Sequence, residues 1–113
     1  MMSLQSRLEP LGLALAEITP YCYHYWRSAP KGVKKYIVWA EDSEMNSFEA
    51  DNLKQRQGLT GTIDFFTLEE FDGIVDEIQD CLQKFEGIVW SLNSVQYEDE
   101  TRFIHYEWSF QMR

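Results

Sequence analysis

The residues of this chain best suited to chemistry are its two cysteines and two histidines: Cys22, His24, Cys81 and His105. Cys22 and His24, one residue apart, could supply a pair of metal ligands, with Cys81 and His105 completing a set of four. Zinc sites are normally built from closely spaced ligand pairs, and Cys81 and His105 each stand alone, so the spacing argues against a metal centre. His105 reads instead as a partly exposed residue on the polar side of a strand. The two thiols read as small half-buried hydrophobes kept reduced in a cytosolic setting, with a disulfide as the alternative. Neither a G-x-G-x-x-G nor a P-loop pattern is present. Carboxylates are abundant, but they fall on a helix surface and in turns, where solvated charge accounts for them. The expectation is a protein without catalytic residues, cofactor or metal, not an enzyme.

The elements that would position these residues follow from periodicity. Arg102 to Met112 alternates: Ile104, Tyr106, Trp108, Phe110 and Met112 fall on one face, His105, Glu107, Ser109 and Gln111 on the other. That is a half-buried strand of roughly 35 Å at about 3.3 Å per residue, running to the C-terminus. Leu4, Leu8 and Leu11 predict a short leading helix, irregular at Pro10 and ended by Gly12. Residues 13–26 include a break at Thr19-Pro20, after which the alternation of Tyr21, Tyr23 and Tyr25 with Cys22, His24 and Trp26 predicts a strand or an extended arm with bulky groups on both faces. A turn at Ala29-Pro30-Lys31-Gly32 leads into a strand from Val33 to Glu41, whose apolar centre Tyr36-Ile37-Val38-Trp39 predicts burial on both faces.

Residues 42–53 read as an acidic loop, and Lys54 to Thr67 as a strand bent or bulged near Gly58 and Gly61. Thr67-Leu68-Glu69-Glu70 has the form of a capping box, with Thr67 as N-cap. It opens a helix over roughly 68–86 with Phe71, Ile74, Val75, Ile78, Cys81, Leu82 and Phe85 on its apolar face. The polar face of that helix carries Glu69, Glu70, Asp72, Asp76, Glu77 and Asp80 against Lys84 alone, and Gly87 stops it. Ile88 to Tyr97, a turn at 98–101 and the terminal strand complete a hairpin. The expected class is α+β: an antiparallel-dominated sheet of about four or five strands with two helices packed on it, in the order α-β-β-α-β-β, as one domain over 1–113.

Composition limits what such a domain does. Of the 113 residues, 44% are hydrophobic and 15% aromatic, enough for one core without staples. Nineteen acidic against ten basic residues leave a formal charge of −9, the wrong sign for neutralising phosphates, so sequence-specific nucleic-acid binding is not expected. No window approaches the roughly 18 apolar residues of a membrane span. Arg7 and Glu9 precede a short apolar stretch that does not read as a secretory signal, and cytoplasmic synthesis is the default.

The charges are unevenly placed. Arg27, Lys31, Lys34 and Lys35 form a basic pole, while Glu41, Asp42, Glu44, Glu49 and Asp51 follow with no base among them. Separate patches of opposite sign suit a heterologous interface, which closes into a ring where the rotation permits. Simple solvated loops are the plainer explanation. The aromatic cluster pushes the other way: Tyr21, Tyr23, Tyr25 and Trp26 within six residues, next to Arg27, exceed what a small core needs and match interface composition. The interface candidates are therefore Tyr23, Tyr25, Trp26, Arg27, Lys31, Lys34 and Lys35 with the five acids above.

Three stretches carry a family resemblance. Lys35-Tyr36-Ile37-Val38-Trp39-Ala40-Glu41-Asp42 is a strand entering an acidic loop, Gly61-Thr62-Ile63-Asp64-Phe65-Phe66-Thr67 enters a helix, and Tyr97-Glu98-Asp99-Glu100-Thr101 turns into Ile104-His105-Tyr106-Glu107-Trp108. Together with the leading helix, residues 33–112 resemble the tail-terminator group, small tail-completion proteins of long-tailed bacteriophages and prophages. The resemblance rests on element order and size. It implies a sheet flanked by helices, no catalytic residues, and a ring, commonly hexameric, at the head-proximal end of the tail tube. The implied partners are further copies of the chain, the tail tube protein and the head-tail connector protein. The implied location is the bacterial host cytoplasm during assembly and then the virion tail. A lumen rich in acids would let DNA pass without sticking. The rival expectation is a monomeric acidic protein-binding module, an inhibitor mimicking nucleic acid with the carboxylates of 69–80.

Overall fold

A computed structural model describes residues 4–25, 31–44 and 58–113. Among them the order is α1 (Leu4–Ile18), β1 (Cys22–His24), β2 (Lys35–Glu44), β3 (Leu59–Thr67), α2 (Ile74–Lys84), β4 (Ile88–Tyr97) and β5 (Ile104–Met112). The strands form one sheet ordered β1-β2-β3-β5-β4, with β1 parallel to β2 and every other pair antiparallel. The α+β class and the antiparallel-dominated sheet stand as expected, with the short β1 as an additional strand.

Alternation decides which face the helices cover. Ile37 and Trp39 of β2, Leu59, Ile63 and Phe65 of β3, and Trp108, Phe110 and Met112 of β5 form one buried cluster with Leu8, Leu11 and Leu15 of α1 and Ile78 and Leu82 of α2. Both helices therefore lie on the same side. The opposite face carries Tyr36, Val38, Thr62, Asp64, Phe66, His105 and Glu107, all half-buried. Burial of β2 on both faces is thus corrected: its apolar run serves a helix-covered face and an open face on which Tyr36 stacks on Phe66 at 4.6 Å.

Helix α1 does not stop at Gly12 but continues to Ile18, because Leu11, Leu15 and Ile18 keep the apolar stripe going. Gly12 is needed for close approach instead: a Cβ there would lie 2.6 Å from the Trp39 ring. Gly61 is similar. The bulge expected near it lies across the ladder, where Asp42 is the extra residue of β2 between Glu41↔Gly61 and Ser43↔Thr60. A Cβ on Gly61 would meet the Ala40 carbonyl oxygen at 2.4 Å and the Phe110 ring at 2.5 Å.

Two further boundaries are corrected. Asp42 to Glu44 extend β2 rather than open a loop, and the rest of the expected loop, with Glu49 and Asp51, lies outside the described residues. So do Trp26 and Arg27, and the first residues of the strand expected from Lys54, which begins at Leu59. Helix α2 starts at Ile74, not at Leu68. The Thr67 hydroxyl does accept from the Glu69 N–H at 3.0 Å, but this closes a local turn. The side chain that accepts from the first helical N–H is Asp72, whose Oδ1 lies 2.9 Å from the Ile74 nitrogen. Phe71, placed on the apolar face by spacing, stands 89% exposed with φ +60°.

Candidate functional site

Two regions concentrate unusual side chains, and a left-handed residue sits in each. Non-glycine residues at positive φ cost free energy, and bulky ones persist only where surrounding contacts hold them. Among the described residues these are Tyr25, Phe71 and Arg102.

Tyr25 lies at the end of β1. The strand is pinned to β2 by the Ile37 N–H donating to the Tyr21 carbonyl at 2.8 Å and the Tyr25 N–H donating to the Trp39 carbonyl at 2.7 Å. The His24 ring is sandwiched between Tyr25 (4.0 Å) and Trp39 (3.9 Å), with both pairs stacked nearly parallel. At the open end of this stack the Glu41 carboxylate accepts from the Tyr25 hydroxyl at 2.5 Å and pairs with His24 Nε2 at 2.7 Å. Burial alone would raise the Glu41 pKa, but those two bonds, with a backbone hydrogen bond and the nearby His24, together hold the carboxyl below its usual range. The same carboxylate pushes the Tyr25 phenol up. Between this stack and the first turns of α1 runs an open groove of about 420 Å³, walled by Leu4, Leu8 and Leu13 opposite the rings, with Glu9 at its side.

The second region lies at the far corner of the sheet. The outer strand β4 exposes Val89, Leu92, Val95 and Tyr97. The last three share the helix-side face, since Leu92 faces Trp108, Val95 faces Tyr106 and Tyr97 faces Ile104 in the ladder. All three stay 43–59% exposed there. Leu68, 46% exposed, Glu70, Val95, Tyr97, Ile104 and Arg102 line a groove of about 700 Å³, with Phe71 in the adjoining turn.

The expected interface residues are distributed across β1 and β2. Tyr23 faces Val38 on the open face. Lys31 and Lys34 are exposed at the entry to β2, and Asp42 and Glu44 are exposed at its other end, roughly 30 Å away at about 3.3 Å per residue. Lys35 and Glu41 serve internal contacts. The Lys35 ammonium lies 2.9 Å from Asp72, a carboxylate buried beside the Thr67 hydroxyl. Asp42 accepts from Thr60 at 2.6 Å across the bulge.

The four residues considered for metal chemistry do not converge. Cys22 and His24 lie on the helix side of β1, whereas His105 lies on the open face. There His105 pairs with Asp64 at 2.7 Å and Glu98 at 3.5 Å, and the Asp64 bond raises its pKa despite the opposing effect of burial. Burial pushes the Cys22 thiol up to about 11 and also raises Cys81, so neither is a ready thiolate. Among the described residues no group of three or more His, Cys, Asp and Glu is placed to hold a metal ion. None of their helices is long and apolar enough to cross a membrane. The acidic row of 69–80 is not one helical face: Glu69 and Glu70 precede α2, and Asp72 turns inward to Lys35.

Trp39, Gly12 and Glu9 escaped sequence reasoning, because only the parallel docking of β1 on β2 brings α1 beside them. The β4 edge had a signal that went unused, ten residues from Ile88 to Tyr97 without a charge. No protein-family model and no curated protein sequence matches the chain.

Proposed function

We propose that this chain is a structural assembly protein that binds further copies of itself, and that the assembly is a ring of the tail-terminator kind on a phage or prophage tail tube. The observation that carries the proposal is β4. Solitary proteins blunt an outer strand with lysine, proline or inward-pointing charge. Strand β4 has none of these, only a bulge between Leu92 and Ser94. Its exposed Leu92, Val95 and Tyr97 continue into Leu68 and Phe71, an apolar corner of the kind that marks interaction sites. On a chain of formal charge −9, an outer strand that itself carries no carboxylate is where two copies meet with least repulsion. The exposed lysines and acids at opposite ends of β2 add a polarity that favours head-to-tail rather than two-fold contact. Tail tube and connector proteins are the further partners under this proposal.

Native mass by light scattering over a concentration series, at low and moderate salt, tests it. The expected result is a closed oligomer near six copies, converted to monomer by Val95→Lys with an unchanged circular dichroism spectrum. A chain that stays monomeric at every concentration, and also when mixed with a tail tube protein, overturns it.

A further inference from the structure

We propose that the groove between α1 and the Trp39–His24–Tyr25 stack binds an organic cation, a guanidinium or ammonium group carried on an apolar stem. The proposal is independent of self-assembly. Three observations combine in it. The first is charge: Glu41 and Glu9 line the groove, and no lysine or arginine does among the described residues. The Glu41 side chain is only 17% exposed, yet the groups that reach it are a phenol, an imidazole and a backbone N–H, with no lysine or arginine among the described residues. A carboxylate this shielded favours a full positive charge beside it, and with about four lone-pair sites its two oxygens retain capacity for a further donor.

The second is shape and polarity. Leu4, Leu8 and Leu13 give the opposite wall an apolar surface, and about 420 Å³ is room for a compact head group with a short hydrocarbon stem. Gly12 keeps the floor open, since a side chain there would run into Trp39. The third is the aromatic component. Tyr25 is half exposed, and a ring beside a desolvated cation adds attraction through its quadrupole. The left-handed backbone of Tyr25 is what brings its hydroxyl onto Glu41 while stacking the ring on His24, so a strained residue is held where the groove needs it. Arginine and lysine side chains of a protein partner present this chemistry, and so do free alkylamines.

The test is a titration of the full chain, followed by amide and indole NMR shifts, with n-butylguanidinium, the neutral isostere n-butylurea, and an end-blocked Gly-Arg-Gly peptide. The expected result is saturable shifts at residues 8–13, 24–25 and 39–41 with butylguanidinium, and binding about tenfold weaker for butylurea, as for loss of one charge-assisted contact. Glu41→Gln is expected to weaken binding similarly. Glu9→Gln, at the side of the groove and outside the stack, gives a second reading should Glu41→Gln disturb the fold. Tighter binding of the peptide than of butylguanidinium assigns the cation to a protein side chain, and the reverse assigns it to a free amine. Equal affinity for butylurea, or no localised shifts at any concentration reached, overturns the proposal.

Discussion

Replacing Asp72 with alanine is expected to cost about 3 kcal/mol, although Asp72 lies in a turn outside regular secondary structure. Its carboxylate has three donors: the Ile74 N–H at 2.9 Å, the Thr67 hydroxyl at 2.7 Å and the Lys35 ammonium at 2.9 Å. Loss of the helix cap costs about 1 kcal/mol. Thr67 is fully buried, and leaving its hydroxyl without an acceptor costs about 1–3 kcal/mol. Lys35 is nearly one-third exposed and turns to water or Glu69, adding about 0–1 kcal/mol.

Asp72→Asn keeps an oxygen for Ile74 but faces Lys35 with an amide, so it should cost roughly half as much. Urea denaturation of both variants, of Lys35→Met and of the Asn/Met double variant gives the coupling directly. Burial would raise the Asp72 pKa, but its hydrogen bonds together hold it below the usual range. The stabilisation is therefore complete above the ordinary carboxylate range and is lost as pH falls through the depressed folded value. A cost below about 0.5 kcal/mol for Asp72→Ala, the size of an ordinary surface change, refutes the reasoning.

The same geometry bears on other variants. Reversing Lys34 to glutamate should weaken self-association with little loss of stability, whereas reversing Lys35 should destabilise the monomer through Asp72, a contrast read by light scattering beside urea melts. Gly61→Ala, with its Cβ 2.4 Å from the Ala40 carbonyl oxygen, should cost about 3 kcal/mol or prevent folding, read by circular dichroism. His105 has a raised pKa in the fold, so its bonds to Asp64 and Glu98 stabilise fully below its unfolded value and fade as pH rises through the raised one. The penalty of His105→Gln, roughly 1 kcal/mol at pH 5.5, should shrink by pH 9 in paired urea titrations. Val95→Lys should abolish self-association while leaving the unfolding free energy from urea titration within about 0.5 kcal/mol, since Val95 is already half exposed.

Much of the sheet was legible because alternation is a local signal. The five residues of the terminal strand assigned to one face do share it, and four of them, Tyr106, Trp108, Phe110 and Met112, pack in or against the core under the helices. What misled was punctuation whose cause is tertiary. Gly12 resembles a helix stop, but it is a glycine because Trp39 presses on α1 from a strand more than twenty residues later. Thr67 and Glu70 have capping-box spacing, yet Thr67 belongs to the buried face of β3 and cannot leave it. Of the expected interface set, Lys35 and Glu41 look identical in sequence to their neighbours. Only their faces in the sheet decide that one meets Asp72 and the other closes the Tyr25 stack. The groove beside α1 was invisible, since alternation at 21–26 announces an extended segment but not its parallel pairing with β2.

The position of β5 between β3 and β4 also constrains how the protein is made. Strand β3 closes onto β5 through pairs such as Leu59↔Met112 and Thr67↔Ile104, so the middle of the sheet waits for the strand synthesised last. A nascent chain can form the β2–β3 hairpin and α2 early, but β4 then emerges with its partner still on the ribosome. At about 5–20 residues per second this leaves the uncharged run from Ile88 to Tyr97 exposed on both edges for around a second. In a growing polysome that is the interval in which neighbouring chains can pair wrongly, so yield of folded protein should fall as elongation slows and as crowding rises, more steeply than its final stability implies.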